Sequence, residues 1–199
     1  MILIGYSGHA FVVCGILQAA GKKVTGYCEK TQKDYNPFSL EYLGDEVAAI
    51  ESLVKHPFFI AIGDNAIREK IFLALASKNC LPINAIHPSA VVDPSAVIAT
   101  NAVMIAANAT INPLVQIGTG VICNTNCSID HECIIEPFAH IAPGAVLCGN
   151  VTVGSQSFIG ANAVIKQGIK IGKNVMVGAG AVVVHDVPDN CTVMGVPAK

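Results

Sequence analysis

From Ile105 to Val183 every sixth residue is aliphatic or cysteine, without a miss: Ile105, Ile111, Ile117, Cys123, Ile129, Ile135, Ile141, Leu147, Val153, Ile159, Ile165, Ile171, Val177, Val183. Four residues after each stands a small or β-branched residue, among them Ala109, Val115, Cys127, Cys133, Ala145 and Ala181. A period of six fits neither the 3.6-residue turn of a helix nor the alternation of one strand face. It describes a short strand plus a turn, repeated. Such units cannot bury their apolar face alone and must stack, which predicts a parallel β-helix of hexapeptide repeats.

The repeat extends back through Ile98, Val92 and Ile86, with one extra residue near Met104 shifting the phase. At three hexads per coil this predicts about five to six coils, roughly 25 Å tall at the strand spacing of a sheet. The composition agrees: 52% of the 199 residues are hydrophobic and 13% charged, as suits strands around a dry interior with outer faces that meet other subunits. A formal charge of −2 offers no basic footprint for nucleic acid. No 18-residue apolar run suggests a membrane span, and the start lacks the basic region of a signal peptide, so a cytoplasmic protein is expected. Eight cysteines occur without a Cys-x-x-Cys. Cys123, Cys127 and Cys133 fall on interior positions of the period and read as small core residues, and no metal-ligand set is visible.

Before Ile86 the pattern changes to alternating strands and helices, which predicts a small parallel α/β unit over residues 1–83 ahead of a solenoid over 84–199. Strands are expected at MILIGY, Lys23–Cys28 and Phe58–Gly63. Helices are expected at Phe11–Ala20, closed by Gly21, at Asp45–Lys55 with Asp45 as N-cap, and at Asn65–Asn79 with Ile67, Ile71 and Leu75 along its apolar side. Residues 31–44 read as a polar loop. The junction lies between Leu81 and Pro88.

Gly5-Tyr6-Ser7-Gly8-His9 joins the first strand to the first helix. Glycines let a ligand approach the backbone, and the helix N-terminus offers free N–H groups to an anion. The spacing is not G-x-G-x-x-G, so a nucleotide-sugar pyrophosphate fits better than NAD. Taken alone, the motif reads equally well as a tight turn. Gly63-Asp64-Asn65 ends the third strand on the same side, and Glu29 follows the second strand, in reach of a ribose or a base edge.

The repeat register sorts the histidines. His131 sits two residues after Ile129, at an outward corner, with Gly149 stacked one coil away to leave space beside the ring. Glu132 follows directly, and a carboxylate next to an imidazole can orient it as a general base. A solvated or interface histidine is the plainer alternative. The register turns the Cys133 thiol inward, against a Cys–His nucleophile. His140 adjoins an interior position and reads equally as a packed histidine; His56 and His185 read as surface residues.

Together the hexapeptide repeat, the G-x-S-G-H start, Phe59–Arg68, Asn124-Thr125, Asp130-His131-Glu132-Cys133, His140 and the ending Gly195-Val196-Pro197-Ala198-Lys199 resemble the left-handed β-helix sugar acetyltransferases of the PglD type. These acetylate UDP-4-amino sugars on the route to bacillosamine and are related to the NeuD-type sialic acid O-acetyltransferases. The resemblance spans essentially the whole chain. It implies acetyl-CoA as co-substrate, no metal, and a homotrimer with each active site between two solenoids. It implies His131 as general base and Glu132 as its orienting carboxylate. Asn124 would lie near the sugar amine, and Ser7, Gly8 and His9 would bind the nucleotide, with Glu29, Gly63, Asp64 and Asn65 beside them. His140, Gly149, Gly160, Gly178 and Lys199 would line the acetyl-CoA groove. Two positions depart from the family: Cys28-Glu29-Lys30 replaces an Asp-Asp pair that reads uridine, and Tyr6 replaces a Gly or Ala, which would narrow the pocket.

The expected reaction is direct attack of the amine on the thioester, with His131 taking a proton and backbone N–H groups meeting the oxyanion. O-acetylation of sialic acid or another sugar hydroxyl would use the same histidine. A non-catalytic scaffold or nucleotide-sugar sensor would share the fold without binding CoA.

Overall fold

A computed structural model describes all residues, 1–199. The first unit holds strands β1 (Ile2–Ile4), β2 (Gly26–Cys28), β3 (Glu41–Tyr42) and β4 (Phe58–Ile60) in one parallel sheet of order β3-β2-β1-β4. Helices α1 (Gly8–Ala19), α2 (Ile50–Lys55) and α3 (Asn65–Ala76) alternate with them. β2, β4 and α3 are each three residues shorter than expected, and three other elements differ for a local reason. α1 starts at Gly8 instead of Phe11, because the extended backbone of Ser7 (φ −138°) serves as its N-cap. α2 is confined to its last turns, because Asp45 accepts the N–H groups of Val47 and Ala48 and so closes a separate turn ahead of the helix. β3 lies inside the expected loop; a two-residue edge strand is too short to show any alternation.

From β5 (Ala85–Ile86) to β22 (Thr192–Val193) the chain forms eighteen two-residue strands in three parallel sheets of five, seven and six strands. Partners lie three hexads apart, as in Ser128 with Val146 and Ile129 with Leu147. The inward residues form one buried cluster that includes Cys123, Cys127 and Cys133. The phase shift falls where the sequence placed it, between Ile98 and Met104.

Each corner from Ala102 to Gly180 holds a residue of positive φ, recurring every six positions. Asn or Gly fills most of these, since they enter the left-handed region at least cost. Leu114, Glu132, Phe138 and Gln156 are the other exceptions beside Ala102. A side chain kept at a strained corner calls for a compensating contact, and three of the four recur below.

The outer face of the seven-stranded sheet is buried over β5, β8, β11 and β14 and opens to water only toward Met176 and Thr192. Ala85, Met104 and Ile122 from that face share a buried cluster with Leu3, Tyr6 and Leu17 of the first unit. Apolar burial therefore fastens the α/β unit to one side of the solenoid. Tyr6 is part of this contact and stacks on Tyr27 at 4.2 Å, so its ring points into the core and does not narrow the ligand pocket as expected. Ile83 still bonds to Phe58 of the first sheet, whereas Ala85 bonds to Val103 of the solenoid.

Candidate active site

One cleft of about 390 Å³ opens at the carboxyl ends of β1, β2 and β4. Gly5, Ser7, Glu29, Gly63 and Asp64 line it, together with Cys28, Lys30, Glu46 and the apolar Ile62, Ile67 and Ile71. The Ser7 side chain makes no cap bond and α1 has no acid in its first turn, so the positive end of the helix faces the cleft uncompensated. Glu29 is partly committed: it accepts from the backbone N–H groups of Tyr6 and Lys30 and pairs with Lys33 at 3.7 Å. Glu46 makes no hydrogen bond and no ion pair. Asp64 caps α3 by accepting the Ile67 N–H at 2.8 Å, which occupies one of its oxygens.

His9 and Asn65 were expected beside these residues but turn the other way, toward the solenoid. Asn65 donates to the Gln156 and Ser157 carbonyls, and its amide is used in holding the two units together. The His9 ring packs over Gly63 and lies 6.2 Å from the ring of His140. Gly8, in the first turn of α1, does not line the cleft but leaves open space around its Cα.

His140 projects from the outer face of the seven-stranded sheet and is only 6% exposed, covered by the first unit. Asn124 bonds its Nε2 at 3.1 Å, while the Asn124 Oδ1 accepts from Thr125 N–H. With Asn124 Nδ2 donating, the neutral ring carries its proton on Nδ1. That Nδ1 makes no hydrogen bond of good geometry, although the Gly63 backbone lies close enough to favour its protonated form, and the buried Nε2 of His9 makes none. Unpaired buried polar atoms are costly and mark a place where a ligand atom or water completes the bonding. Burial, followed by the charge of Arg68, pushes His9 down to about 4. The same two causes, with His9 as a further one, push His140 down to about 3.

His131 stands at another corner, between the six- and five-stranded sheets, with its side chain about half exposed. Its Nδ1 lies 3.0 Å from Glu132 Oε2, and its backbone N–H donates to Asp130, which in turn accepts from Asn112. The Nδ1 proton goes to Glu132, which leaves Nε2 as the proton acceptor. A Cβ on Gly149 would overlap that Nε2. The Gly149 N–H has no acceptor within the chain. Glu132 is one of the strained corners, with φ 60°. An imidazole, a carboxylate bonded to its Nδ1 and a free N–H therefore lie together at this corner.

Asn124 belongs to the corner between the seven- and six-stranded sheets, where Ala142, Gly160 and Gly178 succeed it at one-coil intervals. A Cβ on Gly160 would overlap the backbone at Gly178, so this corner presents a smooth strip. Lys199 pairs with Met194, and the Met194 side chain sits against Gly178 at the upper end of the strip. The six-stranded sheet separates this corner from that of His131, so within one chain the two groups face different directions.

Glu46 of the cleft carries no motif in the sequence, and Arg68 has no role assigned from it. Arg68 is fully buried. Its signal was legible: with Phe72 and Leu75 it lies on one face of α3, a cation on an apolar stripe. The reading chose the stripe through Ile67, which is 50% exposed.

Residues 1–75 match the PglD N-terminal domain family, and residues 132–167 and 150–185 match the bacterial transferase hexapeptide family of six repeats. A perosamine N-acetyltransferase from Caulobacter crescentus, solved as a histidine-substituted variant with CoA and GDP-perosamine, is 36% identical with a TM-score of 0.94 and covers 100% of this chain and 94% of its own. The acetyltransferase domain of PglB from Neisseria gonorrhoeae, solved with acetyl coenzyme A, is 34% identical with a TM-score of 0.93, covering 100% and 97%. The GDP-perosamine N-acetyltransferase of Escherichia coli O157:H7 is 32% identical over 176 residues, which are 88% of this chain. The chain spans 65% of the length of that relative. The solenoid is a left-handed β-helix, as in the two structures.

Proposed function

Because the chain belongs to the hexapeptide-repeat sugar acetyltransferases that carry a PglD N-terminal domain, we propose that it moves the acetyl group of acetyl-CoA to the amine of a nucleotide-linked amino sugar. The observation that carries this reading is the His131–Glu132 pair, with the Nε2 end of the ring set against the backbone of Gly149. His131 takes a proton as the amine attacks the thioester carbon, and Glu132 holds the imidazolium that results. The Gly149 N–H, which has no acceptor in the chain, meets the developing oxyanion. The acetyl group passes directly from sulfur to nitrogen, with CoA thiolate leaving and taking up the proton.

The acceptor's nucleotide occupies the cleft, its pyrophosphate at the N-terminus of α1 and its base against Ile62, Ile67 and Ile71. The acetyl-CoA arm runs along the strip at Gly160 and Gly178 toward Lys199, and the unpaired Nδ1 of His140 suits a polar atom of that arm. His131 lies at a different corner from Asn124, and His140 projects from the face of another sheet, so a second copy of the chain completes the catalytic set. A ring of three identical copies satisfies that with one kind of interface.

The bacillosamine-type resemblance points to a UDP-linked 4-amino sugar, whereas relatives are named for GDP-perosamine. The test is CoA release from acetyl-CoA with a UDP-4-amino-4,6-dideoxy sugar, GDP-perosamine or sialic acid as acceptor, beside His131→Ala. Turnover on an amino sugar that disappears in the variant supports the reading. Turnover on sialic acid alone moves the protein to O-acetylation, and no CoA binding at all moves it to the scaffold class.

A further inference from the structure

Arg68 is a cation with 0% exposure and no carboxylate in ion-pair range. A buried charge without a counter-ion is unusual and persists only where other dipoles compensate it. Here all five of its N–H groups are used. Nε donates to the Gly120 carbonyl, Nη1 to the Ile62 and Gly63 carbonyls, and Nη2 to Asn65 Oδ1 and the Phe138 carbonyl. Three of these acceptors belong to the first unit and two to corners of the solenoid.

The acceptors are informative. Ile62 and Gly63 line the ligand cleft, and Gly63 supports the His9 ring. Phe138 stands two residues before His140, at a strained corner with φ 60°, its ring packed on Phe72 of α3. Gly120 has no Cβ because that space holds the Phe138 ring. One planar group thus spans the wall of the cleft and the chain that leads into His140. We propose that Arg68 is a positioning residue: its guanidinium sets the seat of His9 and His140 relative to the ligand cleft by tying the Ile62–Gly63 turn to the solenoid corners at Gly120 and Phe138.

The charge acts on the same pair. After burial itself, Arg68 opposes protonation of both rings, and His9 opposes that of His140; burial lowers Arg68 to about 10 while Asp64 and Glu69 favour its charge. The buried nitrogens of His9 and His140 thereby stay uncharged where the first unit covers the solenoid. Lysine cannot reproduce the arrangement, since it has three donors and no planar fork. This inference rests on the acetyl-transfer reading for its effect on turnover, but its structural part is independent of it.

The experiment uses full-length Arg68→Lys and Arg68→Gln, with thermal melts, steady-state kinetics and histidine NMR titration without ligands. Both variants are expected to melt lower. Each should lose at least about tenfold in kcat with KM for the nucleotide sugar within about threefold, since small misplacements of reacting groups are costly. In Arg68→Gln the His9 and His140 titrations should move up by about one pH unit or more, and in Arg68→Lys by less. A lower melting point with wild-type kcat and unmoved titrations would make Arg68 merely structural and overturn the proposal. If no acceptor is turned over, the titrations decide alone, so failure of the functional reading is distinguishable from failure of this one. If neither variant folds, the wild-type protein decides. Slowly exchanging Arg68 guanidinium protons support the closed hydrogen-bond set, and rapid exchange overturns it.

Discussion

Gly149 lies one coil from His131, and any side chain there would occupy the space of the His131 Nε2. The glycine keeps a place for the ring. Gly149→Ala should displace the imidazole at its exposed, movable end. The melting temperature should fall by only about 2 to 4 °C, since Gly149 is buried but the atoms a Cβ would meet are the far end of the half-exposed His131 side chain, which can turn away. Activity should drop by about ten- to a hundredfold. Steady-state kinetics beside a thermal melt checks this, and full activity would remove Gly149 from the site.

His131→Ala should lower kcat by at least about a hundredfold, the ordinary scale for a positioned base. Glu132 allows a separation that His131 does not. It occupies a left-handed corner where asparagine is comfortable. Glu132→Asn should keep or slightly raise stability while activity falls by about tenfold, because the longer carboxylate is what reaches Nδ1. Loss of stability and activity together would mean that Glu132 serves the turn and not the base.

The proposed sharing of the site between two copies of the chain predicts complementation. Mixed with His140→Ala chains, His131→Ala chains should regain up to about one quarter of wild-type activity, because in a cyclic trimer that fraction of random interfaces pairs two intact halves. Co-expression with two affinity tags supplies the mixed species. No recovery beyond the separate variants would place the whole site within one chain.

The histidine pair predicts an acid-sensitive fold. Burial, then Arg68, holds His9 at about 4 and His140 at about 3, below their ordinary 6.5. Above pH 6.5 both states carry neutral rings and no stability is lost. As pH falls below 6.5 the unfolded chain binds protons that the folded one refuses, so stability declines toward pH 4 and then 3. By pH 5 the decline should reach roughly 2 to 4 kcal/mol for the two together. Urea midpoints at pH 7 and pH 5 read this directly, and His140→Gln should flatten the curve. Equal midpoints for the wild type would contradict the burial of the pair.

Glu46 lines the cleft without a partner, whereas Glu29 is held by Tyr6, Lys30 and Lys33. A free carboxylate can accept two N–H groups from the edge of guanine but one from uracil. Glu46→Gln should therefore weaken GDP binding by about tenfold and UDP binding by less. Calorimetry with both nucleotides measures it; an equal or larger loss for UDP would assign the cleft to uridine.

Much of this molecule was legible along the chain because its repeat is local. Each hexad states its own inward residue, so the solenoid, its phase shift, the buried cysteines and the outward corner of His131 all follow from counting. The space at Gly149 followed from the same count, taken one coil further. Where elements are short or capped twice the reading slipped: β3 has two residues, and Asp45 closed a turn instead of a helix.

What the chain could not state was which way its first unit faces. Asn65 and His9 sit in the same motifs as Asp64 and Ser7, yet they turn to the solenoid while their neighbours line the cleft. The acceptors of Arg68 could not be named along the chain, because the corners at Gly120 and Phe138 that supply them lie far away in sequence. Periodicity determines what each segment buries, because burial of a repeat depends on neighbours at a constant spacing. Docking of the two units, the burial of Arg68 and the pairing of its histidines were decided only by tertiary structure, because they depend on carbonyls and rings that meet across large separations in the chain.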